Sequence, residues 1–210
     1  MTVYRIRARS AALPAVDWRE QLAVRLSGRP RRIGRWAELG LHGALECLAA
    51  GGESVLAAHA ALVLSSRHGP AFAMRDALAQ VREGLPLPLT FLQIQPSQLL
   101  ATLSAQLRWC GDARFISQPD PLAVLELALT MADNNAKGLL LGWVNELGAE
   151  GGPCESSQWL RLEPVTDPGG VWRALGDFET LMDRASHLRQ IPTGVAVIIG
   201  PEVVNLVQQH

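Results

Sequence analysis

The chain has 210 residues, 48% of them hydrophobic and 19% charged, with nineteen basic side chains against twenty acidic ones. That length can bury a sizeable core in one domain, and a net charge of −1 argues against nucleic acid as the main partner. Three widely spaced cysteines, Cys47, Cys110 and Cys154, form no disulfide framework and no CxxC metal pair, which reads as reduced cytosolic thiols. No signal pattern opens the chain and no apolar run approaches ~18 residues, so secretion and membrane spanning are not expected and the expected location is the cytoplasm.

Residues 1–8 alternate apolar with basic and predict a short edge strand. Pro14 breaks it, and Asp17 is placed to cap a helix running through Leu26. Arg25, Arg29, Arg31, Arg32 and Arg35 then cluster around Gly28 and Pro30, as a solvated connector or as a docking patch for an acidic protein. Residues 36–50 predict a helix that is apolar nearly all round, with Gly40, Gly43, Ala44 and Cys47 along one side, hence buried and closely packed. Residues 60–65 are a continuous apolar run, the mark of a central parallel strand. The turn Ser-Ser-Arg-His-Gly-Pro (65–70) leads from it to a helix over 71–82, which is the grammar of a βαβ unit.

A Pro-rich connection over 84–90 feeds an apolar run that meets Pro96, Ser97 and Gln98. A helix continues from there with leucines at 99, 100, 103 and 107. Proline suits a first helical turn, whose free amides and dipole favour negative charge. A catalytic protein would hold a nucleophile here; this sequence offers Ser97 and Gln98. Residues 109–112 read as a turn and 113–117 as a short strand. Asp120 caps the next helix, with Pro121 in its first position and an apolar face of Leu122, Leu125, Leu129 and Ala132.

Residues 138–144 predict a second buried strand, 148–157 a Gly-rich loop and 158–162 a further strand. Gly169 and Gly170 open a helix over 172–188, and 193–199 is a third buried strand followed by a short apolar tail. Alternating β and α elements with continuous apolar strands specify an α/β sheet covered by helices on both faces. The histidines at 42, 59, 68, 187 and 210 show no HxxxH or clustered spacing, so neither a metal site nor a cofactor is expected. Glu146 and Glu150 read as solvated groups at a strand end and in a loop. Cys110 reads as a small buried hydrophobe at a helix end.

Three pieces carry a resemblance. Leu-Ser-Ser-Arg-His-Gly (64–69), Glu-Gly-Leu-Pro-Leu-Pro-Leu-Thr-Phe (83–91) and Leu-Leu-Leu-Gly-Trp-Val-Asn-Glu (139–146) resemble, in order and spacing, the β-ketoacyl synthase-like N-terminal domain family of the thiolase-like fold. The resemblance implies half of that fold in a single domain: a mixed, mainly parallel sheet covered by helices on both faces. It divides the chain into an N-terminal strand and helix extension (1–28), the matching domain (29–164) and a C-terminal helix and strand that complete it (165–210).

Counted from Phe91, the family's nucleophile position falls on Gln98 and its following glycine on Ala101. A condensing enzyme has cysteine at the first place, with two histidines from a second half-domain. None of the three cysteines lies at that turn, so the resemblance implies a non-catalytic protein similar to a chain-length factor. Such a protein pairs with a ketosynthase in type II polyketide or fatty-acid synthesis, with aryl polyene pathways as the nearest type, and works with an acyl carrier protein.

On that reading Ser97, Gln98 and Leu99 gate the space for the growing acyl chain. Arg29, Arg31, Arg32 and Arg35 dock the carrier, and Arg114, Phe115 and Ile116 of the strand at 113–117 meet the partner subunit; a homodimer is the alternative assembly. The enzymatic alternative is an acyl transferase or hydrolase that uses Ser97 with His68 as base.

Overall fold

The computed structural model describes residues 3–11, 13–26, 32–85, 88–119, 121–132, 138–147, 152–165, 172–174, 195–199 and 204–209. Its helices are α1 (Trp18–Arg25), α2 (Arg35–Ala50), α3 (Ala71–Arg82), α4 (Pro88–Gln93), α5 (Pro96–Gln106) and α6 (Pro121–Ala132). Its strands are β1 (Val3–Arg9), β2 (Ala61–Ser66), β3 (Ala113–Ser117), β4 (Leu139–Leu147), β5 (Pro153–Val165), β6 (Trp172–Ala174), β7 (Val195–Ile199) and β8 (Val204–Gln209). They form one sheet in the order β3-β2-β4-β5-β1-β7-β8-β6.

All six residues of β2 and all nine of β4 are buried, as continuous apolar strands require when both faces are covered. The two-residue period of the strands sorts their side chains between two cores. Leu62, Leu64, Leu140, Val144 and Trp159 join the core that contains the buried residues of α1, α2 and α5. Ala61, Val63, Leu139, Leu141 and Trp143 face the other way, onto Val124, Leu125, Ala128 and Leu129 of α6. Each buried leucine contributes about 1.5–3 kcal/mol, so these central strands carry a substantial share of the apolar stabilisation.

The small residues of α2 let it approach closely. A Cβ on Gly40 would run into Leu99 Cδ2, and one on Gly43 would sit 2.7 Å from Trp159 Cδ1 and collide with Ser157 Oγ. Three helices end in the same way. The amides of Glu53, Leu85 and Trp109 bond the carbonyls of Leu48, Gln80 and Ser104, each five residues back in a Schellman turn. Gly52 (φ +71°) and Gly84 (φ +72°) take the left-handed position in the first two, and Arg108 (φ +47°) takes it in the third.

The sheet is mixed, as expected, but its parallel pairing is confined to β3-β2-β4; β4-β5, β5-β1, β1-β7, β7-β8 and β8-β6 are antiparallel. β1 is therefore not an edge strand. It lies between β5 and β7, which draws the expected extension into the sheet. Residues 172–174 are a strand paired with β8 where a helix was expected to begin, and the apolar tail is β8 itself. β5 starts at Pro153, inside the expected loop, and α4 occupies part of the expected Pro-rich connection. The Asp120 cap and the rest of the helix expected over 172–188 lie outside the described residues.

Candidate functional site

β2 and β4 are parallel, and their carboxyl ends form the side of an α/β sheet where ligands bind by rule. Asn145 Oδ1 accepts from Ser66 Oγ at 3.1 Å and from the Arg67 amide at 2.9 Å, while Ser66 Oγ accepts from the Gly69 amide at 2.7 Å. The Ser-Arg-His-Gly turn is thus fastened to the end of β4. One residue further, Glu146 is 2% exposed and its Oε2 accepts the amide of Phe72 in the first turn of α3 at 3.1 Å. Burial pushes the Glu146 carboxyl above its usual range, with Glu155 acting in the same direction and the Phe72 amide and Arg35 against it.

The starts of α2 and α5 reach the same end of the sheet. Trp36 Nε1 donates to Val144 O at 3.1 Å, and Arg35 pairs with Glu155 at the start of β5. Gly34 lies so close to α4 that a Cβ on it would be 3.2 Å from Gln93 Cβ, which brings the α4–α5 junction beside the α2 start. Pro96 is the first residue of α5, and no side chain caps that helix. Ser97 is exposed and Gln98 half-buried; the Gln98 carbonyl accepts from Thr102 Oγ1 at 2.7 Å. Leu99 is fully buried against α2, so it belongs to the chain's own core.

His68 is exposed, and no hydrogen bond joins it to Ser97 among the described residues. Arg35, expected as a free docking cation, has its charge met by Glu155, whose carboxyl it holds below the usual range. Arg25 likewise pairs with Glu46 at 2.5 Å. Arg32 is exposed, and Arg29 and Arg31 lie outside the described residues. β3 closes one edge of the sheet, bonded to β2 alone among the described residues. On it Arg114 is exposed and pairs with Asp112 at 2.8 Å. Phe115 packs edge-on to Trp36 with ring centroids 6.2 Å apart, and Ile116 faces the α6 core.

Two expectations are corrected. Glu146 is a buried, hydrogen-bonded group because β4 runs on to Leu147 past the expected strand end at 144; Leu147 in the sequence was the available signal. Cys110 is exposed and lines a cavity of about 620 Å³ with Val55, Leu56, His59, Trp109 and Met131, at the amino ends of β2 and β3. Burial pushes the Cys47 thiol up to about 12, so it is inert at neutral pH. Glu150 lies outside the described residues. Among the described residues no group of His, Cys, Asp and Glu could hold a metal ion, and no helix is long and apolar enough to cross a membrane.

Over its full length the chain is similar to a solved structure of the ketosynthase ApeO in complex with its chain length factor ApeC from Xenorhabdus doucetiae. The likeness has a TM-score of 0.59 at 14% identity and covers 100% of both chains. The chain adopts the thiolase-like fold of the β-ketoacyl synthases. The structure of the ishigamide ketosynthase/chain length factor is similar at a TM-score of 0.59 and 11% identity, over 93% of this chain and 62% of that one. A type II polyketide synthase acyl-carrier protein in complex with its hexaketide-bound ketosynthase (AntDE:AntF) is similar at 0.58 and 14%, over 86% and 71%. No protein-family model and no curated protein matches the sequence. In this thiolase-like domain the α5 start, both parallel-strand ends and the edge strand β3 are parts of one architecture.

Proposed function

We propose that this thiolase-like domain is a non-catalytic, chain-length-factor-like partner of a ketosynthase in a type II polyketide or fatty-acid pathway, with aryl polyene synthesis as the pathway type. The observation that carries the reading is the start of α5. The resemblance puts the condensing nucleophile at Gln98, and Cys47, Cys110 and Cys154 all lie elsewhere, in the core, in the turn after α5 and on β5. An amide cannot form a thioester, so the site shapes space and performs no acyl transfer.

The edge position of β3 supports a heterodimer, because backbone groups with no strand partner among the described residues are a template for a strand of another chain. Arg114, Phe115 and Ile116 would then lie at the subunit boundary, Ser97 and Gln98 would gate the acyl space, and Arg32 would be the described arginine left to meet an acidic carrier protein. The full-length likeness to a structure that contains a ketosynthase and a chain length factor supports the same partner class.

Co-expression with a ketosynthase encoded beside this chain, followed by size-exclusion chromatography, tests the reading. A stable 1:1 complex at micromolar concentration is expected, and two separately eluting proteins refute it. Intact-mass measurement after incubation with an acyl-loaded carrier is expected to show no adduct. An acyl group on Ser97 would replace this reading with the transferase alternative.

A further inference from the structure

α3 is built inside out. Met74, Leu78 and Val81, three of its large apolar residues, are 42–62% exposed, while the half-buried positions include Ala71, Ala73, Ala77 and Gln80 and no residue is fully buried. An amphipathic helix ordinarily turns its large apolar stripe to its own core. The spacing of Met74, Leu78 and Val81, continued by Leu85 beyond the Gly84 turn, alternates four and three residues as in the seam between two packed helices. Beside α3, α4 exposes Leu89, Phe91 and Leu92. The seven side chains leave on the order of 600 Å² of apolar surface, at the upper limit for a lone soluble domain and close to the ~800 Å² each partner contributes to a stable interface.

Charge decides what fits there. Arg75 and Arg82 follow Met74 and Val81 by one residue and so flank the stripe on one side, while Asp76 and Glu83 fall across the helix from it. Arg75 lies over the Phe72 ring at 5.8 Å, and neither arginine meets a carboxylate among the described residues. A second copy of this chain would bring two more arginines and no acid to the seam. We propose that the outer face of α3 is a docking seam for an amphipathic helix of a partner protein, one that carries carboxylates beside its apolar stripe. The seam is separate from the β3 edge and does not depend on the ketosynthase reading.

The probe is a synthetic helix of roughly three heptads with leucine at its seam positions and glutamate beside them, compared with a twin bearing lysine in place of glutamate. Fluorescence polarisation with the full chain is expected to show the glutamate peptide binding at least ~10-fold more tightly than the lysine peptide, with the difference shrinking in salt. Leu78→Asp abolishes binding, and the double variant Arg75→Glu/Arg82→Glu reverses the preference towards lysine. These positions are exposed, so the variants keep the wild-type unfolding curve, which circular dichroism checks. Equal binding of the two peptides, unchanged binding by Leu78→Asp, or no reversal in the charge-swapped variant overturns the proposal. So does sedimentation showing a homodimer that Leu78→Asp dissociates, because a second copy would then cover the face.

Discussion

Glu146→Gln and Glu146→Ala separate the two things this buried carboxyl does. In the folded chain it accepts the Phe72 amide at 3.1 Å, and burial raises its protonation range above that of an unfolded glutamate. Between the unfolded and folded ranges the native state therefore holds the extra proton. The stability this group contributes is complete below the ordinary carboxylate range and is lost as pH rises through the folded value. Gln keeps an acceptor for Phe72 and never ionises, so its stability relative to wild type must increase from about pH 5 to about pH 8. Ala removes the acceptor and leaves a part-buried amide unmatched, at a cost of about 1–3 kcal/mol, or roughly 4–8 °C in Tm for a mid-range loss in a chain of this size. Urea unfolding followed by circular dichroism at both pH values measures each effect. A difference between Gln and wild type that is flat or falls with pH refutes the burial argument. An Ala variant no less stable than Gln refutes the hydrogen-bond argument.

Leu99→Ala, at a fully buried site against Gly40, is expected to cost about 3 kcal/mol in urea unfolding. Gly40→Val overpacks the same contact and is expected to cost at least ~2 kcal/mol. Arg161 is 1% exposed and donates to Glu53 at 2.9 and 3.2 Å and to Leu162 O at 2.7 Å. Arg161→Met strands a carboxylate and is expected to cost about 3–4 kcal/mol, most of it recovered when Glu53→Met is added; a double variant as unstable as the single one would contradict this. Arg108→Gly relieves a left-handed residue at the end of α5 and is expected to raise stability by about 0.5–1 kcal/mol, read from the urea midpoint.

Local signals located the βαβ part of the fold. β2 and β4 announce themselves as unbroken apolar runs, and the expected bounds of α3 and β3 agree with the structure because Gly84, Gly111 and Pro70 punctuate them. What local pattern cannot carry is the number of neighbours a strand has. The alternation of β1 reports buried positions such as Tyr4 and Ala8, but not that a register shift after Ile6 sends these two into opposite cores, nor that its two partners lie more than 140 residues away. The strand at 172–174 is likewise defined by its pairing with β8. The candidate site was half legible. Proline at the start of α5 and the Ser-Arg-His-Gly turn stand out in the sequence, whereas the buried Glu146 is met by an amide 74 positions away. An acidic residue after an apolar run reads as the end of a strand unless that distant donor is known.

The same distant donor bears on the docking seam. α3 packs no fully buried residue, so little besides its ends holds it in place. Glu146 fixes the first turn through Phe72, and at the other end the Gly84 and Leu85 amides satisfy the Val81 and Gln80 carbonyls. A helix fixed at both ends reaches its partner already ordered, so less side-chain and backbone entropy is lost on docking. Glu146→Ala frees the first turn without touching Met74, Leu78 or Val81. It is therefore expected to weaken the glutamate peptide several-fold, through a lower population of the ordered helix, while leaving the preference over the lysine peptide intact. Leu78→Asp, by contrast, removes binding and leaves amide exchange across α3 unchanged. Hydrogen exchange of the α3 amides, measured alongside polarisation, distinguishes the two. If Glu146→Ala accelerates exchange in the first turn but leaves peptide affinity at the wild-type value, ordering of α3 is not coupled to docking, and the fixed ends serve stability alone.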